Sequence, residues 1–295
     1  MSELCAITTI SNPANYRSRF RLYHEFRKRI EDSGVPLCTI ELATGDQEFA
    51  VTEAGNPHNF QVRSSDEIWY KENLLNVALR RLPKQWNYVA LLDADILFVR
   101  PDWADQTLSL LKRHAFVQMF THVVDLGPNY EPLKTYEGFA YRQLHTTPNK
   151  EIGQTGYAWA VRRDVLDAIG GLMDWSIMGS NDYFMALALT GAVTPDTSRM
   201  PGSRYAQSLL NWQQKCEGHR NIGYLENTIL HFWHGRRNDR GYDNRWRILA
   251  DNQFDPVTDL VRDSQGLLRL AGNKPAFHEA LRGYFRARNE DASEL

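Results

Sequence analysis

Two aspartates one residue apart, Asp93 and Asp95, interrupt an otherwise apolar stretch, NYVALLDADILFVRPDW, at residues 87–103. An unpaired buried carboxylate is costly, so each acid needs a cation, a hydrogen-bond donor or water. Side chains at i and i+2 on extended backbone share a face. Two carboxylates so placed make an oxygen site for a divalent cation that bridges phosphate oxygens. Either acid taken alone reads more plainly as a strand-end residue that caps a turn and meets water. A second group stands in LHFWHGRRNDRGY, where His231 and His234 precede Gly235 and Arg236, Arg237 and Arg240 follow it. Neutral imidazole ligates Mn²⁺, and guanidinium matches a diphosphate; the bland reading is a solvated basic turn. Residues i and i+3 on a strand face opposite ways, so a single histidine is expected on a metal. His231, at the strand end, is preferred for that place, and His234 for the diphosphate. A third group is GSNDYFM, with Asp182 at the start of a helix. A carboxylate at a loop–helix junction can take a proton from a hydroxyl; it can equally do no more than stabilise the helix dipole.

These residues need a scaffold. LCAITTI (4–10) reads as a buried strand, and Tyr16, Phe20, Tyr23, Phe26 and Ile30 recur at helical spacing up to a stop at Gly34. VPLCTIEL (35–42) is a second strand; EFAVTE and NFQVRSS are weaker ones. SDEIWYKENLLNVALRRL (65–82) predicts a helix capped by Ser65 or Asp66, with Trp69 and Leu75 on its apolar face and Pro83 after it. The strand ahead of Asp93 comes next. This alternation predicts a parallel sheet covered by helices, with ligands outside the carboxyl ends of its strands. Further on, FVQMF (116–120) is a strand and 125–155 a long loop or lid. TGYAWAVRRDVLDAIGGL (155–172) is a strand running into a short helix. Residues 180–191 form a capped helix, and the tail from about 274 is helical.

The chain has 295 residues, 42% hydrophobic and 24% charged, with a net charge of -2. That balance suits a large α/β domain, and it excludes an overall basic field for nucleic acid. Cys5, Cys38 and Cys216 are too few and scattered for a disulfide framework or zinc knuckle. MSELCAITTI lacks the pattern of a signal peptide, and no segment reads as a membrane span. A soluble protein of a reducing compartment, the cytoplasm, is the expectation, with peripheral membrane attachment open.

LLDADILF resembles the Asp-x-Asp motif of GT-A-fold glycosyltransferases, which use nucleotide-diphosphate sugars. The resemblance implies a Rossmann-like, mostly parallel sheet flanked by helices. It makes residues 1–250 the catalytic domain, with a nucleotide-binding half (1–100) and an acceptor and metal half (101–250), and leaves 251–295 as a C-terminal helical extension. It implies Mn²⁺ or Mg²⁺ held by Asp95 and a histidine, His231 or His234, with Asp93 at the ribose or the metal. GSNDYFM resembles the family's acidic motif, which makes Asp182 the base; Asn181 stands where many members carry a second acid. TGYAWAV resembles the segment before that motif, where Gly156 admits the donor sugar and Trp159 stacks on it or fills the core. Thr9, Asn12, Tyr16 and Arg19 after the first strand, with Lys71 and Asn73 in YKENLLN, become nucleotide contacts. Arg236, Arg237 and Arg240 close over the diphosphate. The implied activity is transfer from a nucleotide sugar, UDP-sugar by family habit, to an acceptor hydroxyl with inversion. A glycan, a lipid-linked or other glycoconjugate, a protein and a hydroxymethylated DNA base all remain as acceptors. Sugar-phosphate nucleotidyltransferases also pair aspartates, but AITTISNPAN lacks their glycine-rich basic signature. A non-catalytic carbohydrate-binding protein on this fold would bind no metal.

Overall fold

The computed structural model describes residues 3–145, 152–197, 200–242 and 244–293. The chain starts with β1 (Leu4–Ser11), α1 (Arg17–Asp32), β2 (Leu37–Thr44), β3 (Asn59–Ser64), α2 (Lys71–Arg81) and β4 (Tyr88–Leu92). It continues through β5 (Ile96–Phe98), α3 (Trp103–Leu111), β6 (Phe116–Gln118), β7 (His122–Leu126), β8 (Pro132–Glu137) and α4 (Phe139–His145). Then come β9 (Ala158–Arg162), α5 (Arg163–Ile169), α6 (Asn181–Leu189), α7 (Ser203–Lys215), β10 (Ile222–Tyr224) and β11 (Thr228–His231). The last elements are α8 (Arg245–Asp251), β12 (Leu260–Arg262), β13 (Leu268–Leu270) and α9 (Pro275–Arg286).

Seven strands form the central sheet in the order β10-β6-β9-β4-β1-β2-β3. β9 runs antiparallel to β4 and β6, and the other pairs are parallel. In β1, Leu4 to Ile7 are wholly buried, as expected of a strand covered on both faces. The mostly parallel α/β sheet with flanking helices read from the sequence is therefore present. A second sheet, β5-β11-β7-β8, stands beside it. Its register sets His231 opposite Asp125, and Asp125 opposite Lys134.

Four local expectations are corrected. EFAVTE is not a strand: the buried Glu41 carboxylate accepts hydrogen bonds from the backbone N–H groups of Ala50, Val51 and Thr52, so the segment wraps an acid instead of joining a ladder. α2 starts at Lys71, not after Ser65 or Asp66; the Asp66 carboxylate accepts from the Leu270 N–H and is spent on the β12–β13 hairpin. The span 125–155 holds β8 and α4, because polar, exposed β8 pairs along β7 as an edge strand; its residues 146–151 lie outside the described residues. The C-terminal extension contains the β12–β13 hairpin before α9, so it is not all helical. Leu260, Leu267, Leu268, Phe277 and Leu281 join the main core.

Candidate functional site

β4 ends at Leu92, and the backbone turns through Asp93–Asp95 before β5. The Asp93 N–H donates to the Tyr157 carbonyl (2.8 Å), and the Phe232 N–H donates to the Asp95 carbonyl (2.9 Å). The backbone at the two acids is a turn and not the extended strand that the shared-face expectation assumed, although both acids line one cleft and the Asp95 charge acts on Asp93. Asp95 Oδ2 lies 3.2 Å from His234 Nε2 and 3.8 Å from His231 Nε2. Asp93 instead pairs with Lys71 of α2. Burial pushes the Asp93 carboxyl above its ordinary range against the pull of Lys71.

Both histidines converge, contrary to the strand-alternation argument, because β11 stops at His231 and the next residues leave the strand. Their Nε2 atoms are 3.2 Å apart. His231 Nδ1 donates to Asp125 Oδ1 at 2.8 Å, which turns Nε2 towards Asp95. Burial pushes the His231 imidazole down, but Asp95 and Asp125 outweigh it and raise it to about 9. His234 is held well below the ordinary histidine range by burial and by Arg240. Burial pushes Asp95 up, and His231, His234 and Arg240 more than reverse it, holding the carboxyl well below its ordinary range.

A divalent ion of the kind the resemblance implies fits this group. The ligand atoms of Asp95, His231 and His234 all lie within 4.8 Å of one another. Among the described residues, the buried Asp95 Oδ1 has no hydrogen-bond partner. Two nitrogens and one carboxylate oxygen suit Mn²⁺, and Asp125 supplies the outer carboxylate that fixes a ligating imidazole. Asp93 is outside this cluster.

The triad lies in a cleft of about 1080 Å³. Asp182, in the first turn of α6, reaches the cleft and accepts a hydrogen bond from Thr155 Oγ1 (2.8 Å). A Cβ at Gly156 would stand 3.0 Å from Asp182 Oδ2, so the glycine admits this carboxylate. Behind it, buried Glu72 accepts from Asn181 Nδ2 (2.8 Å), and burial raises its carboxyl to about 7. Sequence reasoning passed over Glu72, an acid inside an otherwise apolar helix face.

Thr9, Arg19, Lys71, Gly156, Arg237 and Arg240 also line the cleft. Five expected contacts do not. Asn12 closes the entry to α1 by bonding both the N–H and the carbonyl of Tyr16. Tyr16 uses its hydroxyl on the Arg286 carbonyl and the Asn289 N–H. Asn73 is buried, with its amide shared among Asp174, Gly266 and Leu268. Trp159 packs beside Phe139 and donates to the Thr155 carbonyl, while Tyr157 faces the cleft in its place. Arg236 is exposed outside the lining.

The C-terminal segment after α9 closes one side of the site. Glu290, 1% exposed, binds Arg19 Nη2 (2.8 Å) and Arg288 Nε (2.6 Å) and lies 3.8 Å from His234 Nδ1. Asp291 accepts from the N–H groups of Arg17 and Ser18, capping α1 from far along the chain. Gly235, at φ +90°, lets this segment pass: a Cβ there would stand 2.6 Å from the Asn289 carbonyl oxygen.

No family model matches the chain, and no curated protein matches its sequence. Among solved structures it is similar to Drosophila β1,4-galactosyltransferase 7, solved with manganese, UDP-Gal and xylobiose, at 14% identity and TM-score 0.37. That match covers 64% of this chain and 61% of the other, so the chain spans about three fifths of that structure's length. Mannosyl-3-phosphoglycerate synthase from Rubrobacter xylanophilus is similar at 12% identity and TM-score 0.42, over 90% of this chain and 83% of that one. S. aureus TarS 1-349 is similar at 11% identity and TM-score 0.41, over 99% and 88%. At such scores the likeness is one of outline, and the functional reading rests on the residues of the cleft.

Proposed function

We propose that this chain is a divalent-metal-dependent glycosyltransferase, moving a sugar from a nucleotide-diphosphate sugar to an acceptor hydroxyl. One observation carries the reading. A carboxylate and two imidazoles, with an orphaned buried oxygen, sit at a strand's carboxyl end across a cleft from a second carboxylate, Asp182. Asp95, His231 and His234 would hold Mn²⁺ or Mg²⁺, which would supply positive charge against the departing diphosphate. Arg240, buried next to the triad and bonded to the Gly235 carbonyl at 3.1 Å, adds fixed positive charge on the same side. Thr9 and Arg19 flank the nucleotide. Lys71 neutralises Asp93 in the same lining.

Asp182 takes the proton of the acceptor hydroxyl as its oxygen bonds to the anomeric carbon. The bond from that carbon to the phosphate oxygen breaks, and its electron pair leaves with the nucleoside diphosphate. Thr155 and Gly156 orient Asp182 for that role. A single displacement of this kind inverts the anomeric carbon, and UDP-sugars are the donors to try first.

The test is a screen of donor hydrolysis across nucleotide sugars with and without Mn²⁺, on the wild type and Asp95→Ala. The expected result is metal-stimulated release of nucleoside diphosphate from one donor, lost in the variant. Metal-independent release that survives the substitution contradicts the proposal. Turnover only of a nucleoside triphosphate with a sugar phosphate would turn the reading to a nucleotidyltransferase.

A further inference from the structure

One wall of the cleft carries a ladder of cations and rings. Lys134 Nζ lies 4.8 Å from the centre of the Tyr136 ring, and the Arg237 guanidinium lies 5.8 Å from the same ring. Arg237 also stands 5.1 Å from the Tyr242 ring, and Arg245 stands 4.8 Å from it. All five residues line the cleft. The ladder starts on β8, two strands from His231 across the second sheet. It ends where Arg245 Nη2 donates to Ser180 Oγ (2.9 Å), two residues before Asp182.

The cleft lining holds eight Lys and Arg side chains against six carboxylates. Lys71 pairs with Asp93, Arg142 with Glu137, and Arg19 and Arg288 with Glu290, while Arg240 lies beside Asp95. Among the described residues, Lys134, Arg237 and Arg245 form no ion pair and lie instead against rings and, for Arg245, the Ser180 hydroxyl. The cations of the cleft that stand beside no carboxylate partner are therefore those of the ladder. Cations held over ring faces are oriented in advance for anions. The same cations cover the faces of Tyr136 and Tyr242, so these rings offer little to a stacking base, the main attraction in single-strand nucleic-acid grooves.

We infer that this wall is an acceptor subsite for an anionic sugar chain, whose carboxylate or phosphate groups seat on Lys134, Arg237 and Arg245 while its hydroxyl meets Asp182. The inference rests on the glycosyltransferase reading for the role of Asp182, but the binding it describes is measured without a donor.

Calorimetry tests it with a hyaluronan hexasaccharide for carboxylates, a phosphorylated mannopentaose for phosphates, neutral maltohexaose and single-stranded oligo-dT. The expected result is that one or both anionic sugars bind at least about tenfold tighter than maltohexaose, the factor that a single charge-assisted contact contributes. Lys134→Gln and Arg245→Gln each remove most of the preference while lowering UDP affinity in the presence of Mn²⁺ less than twofold. The carboxylated and phosphorylated probes separate the two sources of negative charge. Equal binding of charged and neutral sugars, tightest binding of oligo-dT, or loss of UDP affinity matching the loss of sugar affinity would overturn the subsite. Failure of wild-type protein to bind UDP and Mn²⁺ would instead count against the donor reading, with the sugar titrations still reporting on the ladder.

Discussion

Raising the pH should strengthen metal binding and weaken the metal-free fold, with His231 as the common cause. The imidazole lies against Asp95 and Asp125, and these carboxylates outweigh the cost of burial and raise it from 6.5 to about 9. A folded pKa above the unfolded one means that the protonated form stabilises the fold. The stabilisation is complete below about 6.5 and disappears as pH climbs through 9. At about 1.4 kcal/mol per unit, the gap amounts to roughly 3 kcal/mol. A metal takes the neutral imidazole, so its apparent affinity falls about tenfold for each pH unit below 9, or about a hundredfold at pH ~7. Titrations with Mn²⁺ under argon should give a dissociation constant that drops in this proportion and levels off above pH ~9. Melting of the chelator-treated protein should shift the opposite way over the same range. Asp125→Asn removes the negative charge behind Nδ1 while leaving an acceptor oxygen, so the midpoint should move down and affinity at high pH weaken about 10–100-fold. Manganese affinity that is flat with pH, or the same pH dependence in Asp125→Asn, would refute the reasoning.

Asp182→Asn should keep donor affinity and lower kcat for transfer by about 10²–10⁴, read in steady-state kinetics once an acceptor is found; a tenfold rise in donor KM at unchanged kcat would argue for a binding role. Glu290→Gln leaves Arg288 and Arg19 without their buried counter-charge, and urea unfolding should show a loss of about 3–5 kcal/mol. Gly235→Ala forces a left-handed residue and a collision with Asn289, costing about 1–3 kcal/mol; hydrogen exchange should speed up at the Arg17 and Ser18 amides, which Asp291 caps.

What was legible in the sequence was local. Asp95, His231, His234 and Asp182 announced themselves because acids and imidazoles in apolar surroundings need a partner, and the sheet brings strand ends together. The direction of a side chain was harder to read. Asp93 pairs with Lys71 and Asp95 faces the histidines, on a turn where extended backbone was assumed, and His234 joins His231 because the strand ended at His231, three residues short of what alternation required. Asn12, Tyr16 and Asn73 were chosen for polar type near a ligand-binding edge, yet each is consumed by backbone groups that otherwise lack partners. Residue type states what a side chain can bond, and packing decides which of the available partners it meets. Trp159 shows the same rule for an indole, whose N–H finds the Thr155 carbonyl inside the fold.

The C-terminal segment had no local signal at all, and it does the most to join the parts of the site. Its partners are about 270 positions away: Tyr16, Arg17, Ser18 and Arg19 around the start of α1. α1 has no side-chain cap from its own N-cap residue, so the first-turn N–H groups depend on Asp291. One residue earlier, Glu290 faces both Arg19 at the start of α1 and His234 beside Asp95. The loop that bears His234 is fastened to the same segment by Trp233, whose indole N–H donates to the Ala292 carbonyl (2.6 Å). One short run of chain thus sets the positions of Arg19 and of His234 together. A change that lifts it should move donor and metal affinities in step, although neither Glu290 nor Asp291 belongs to the triad.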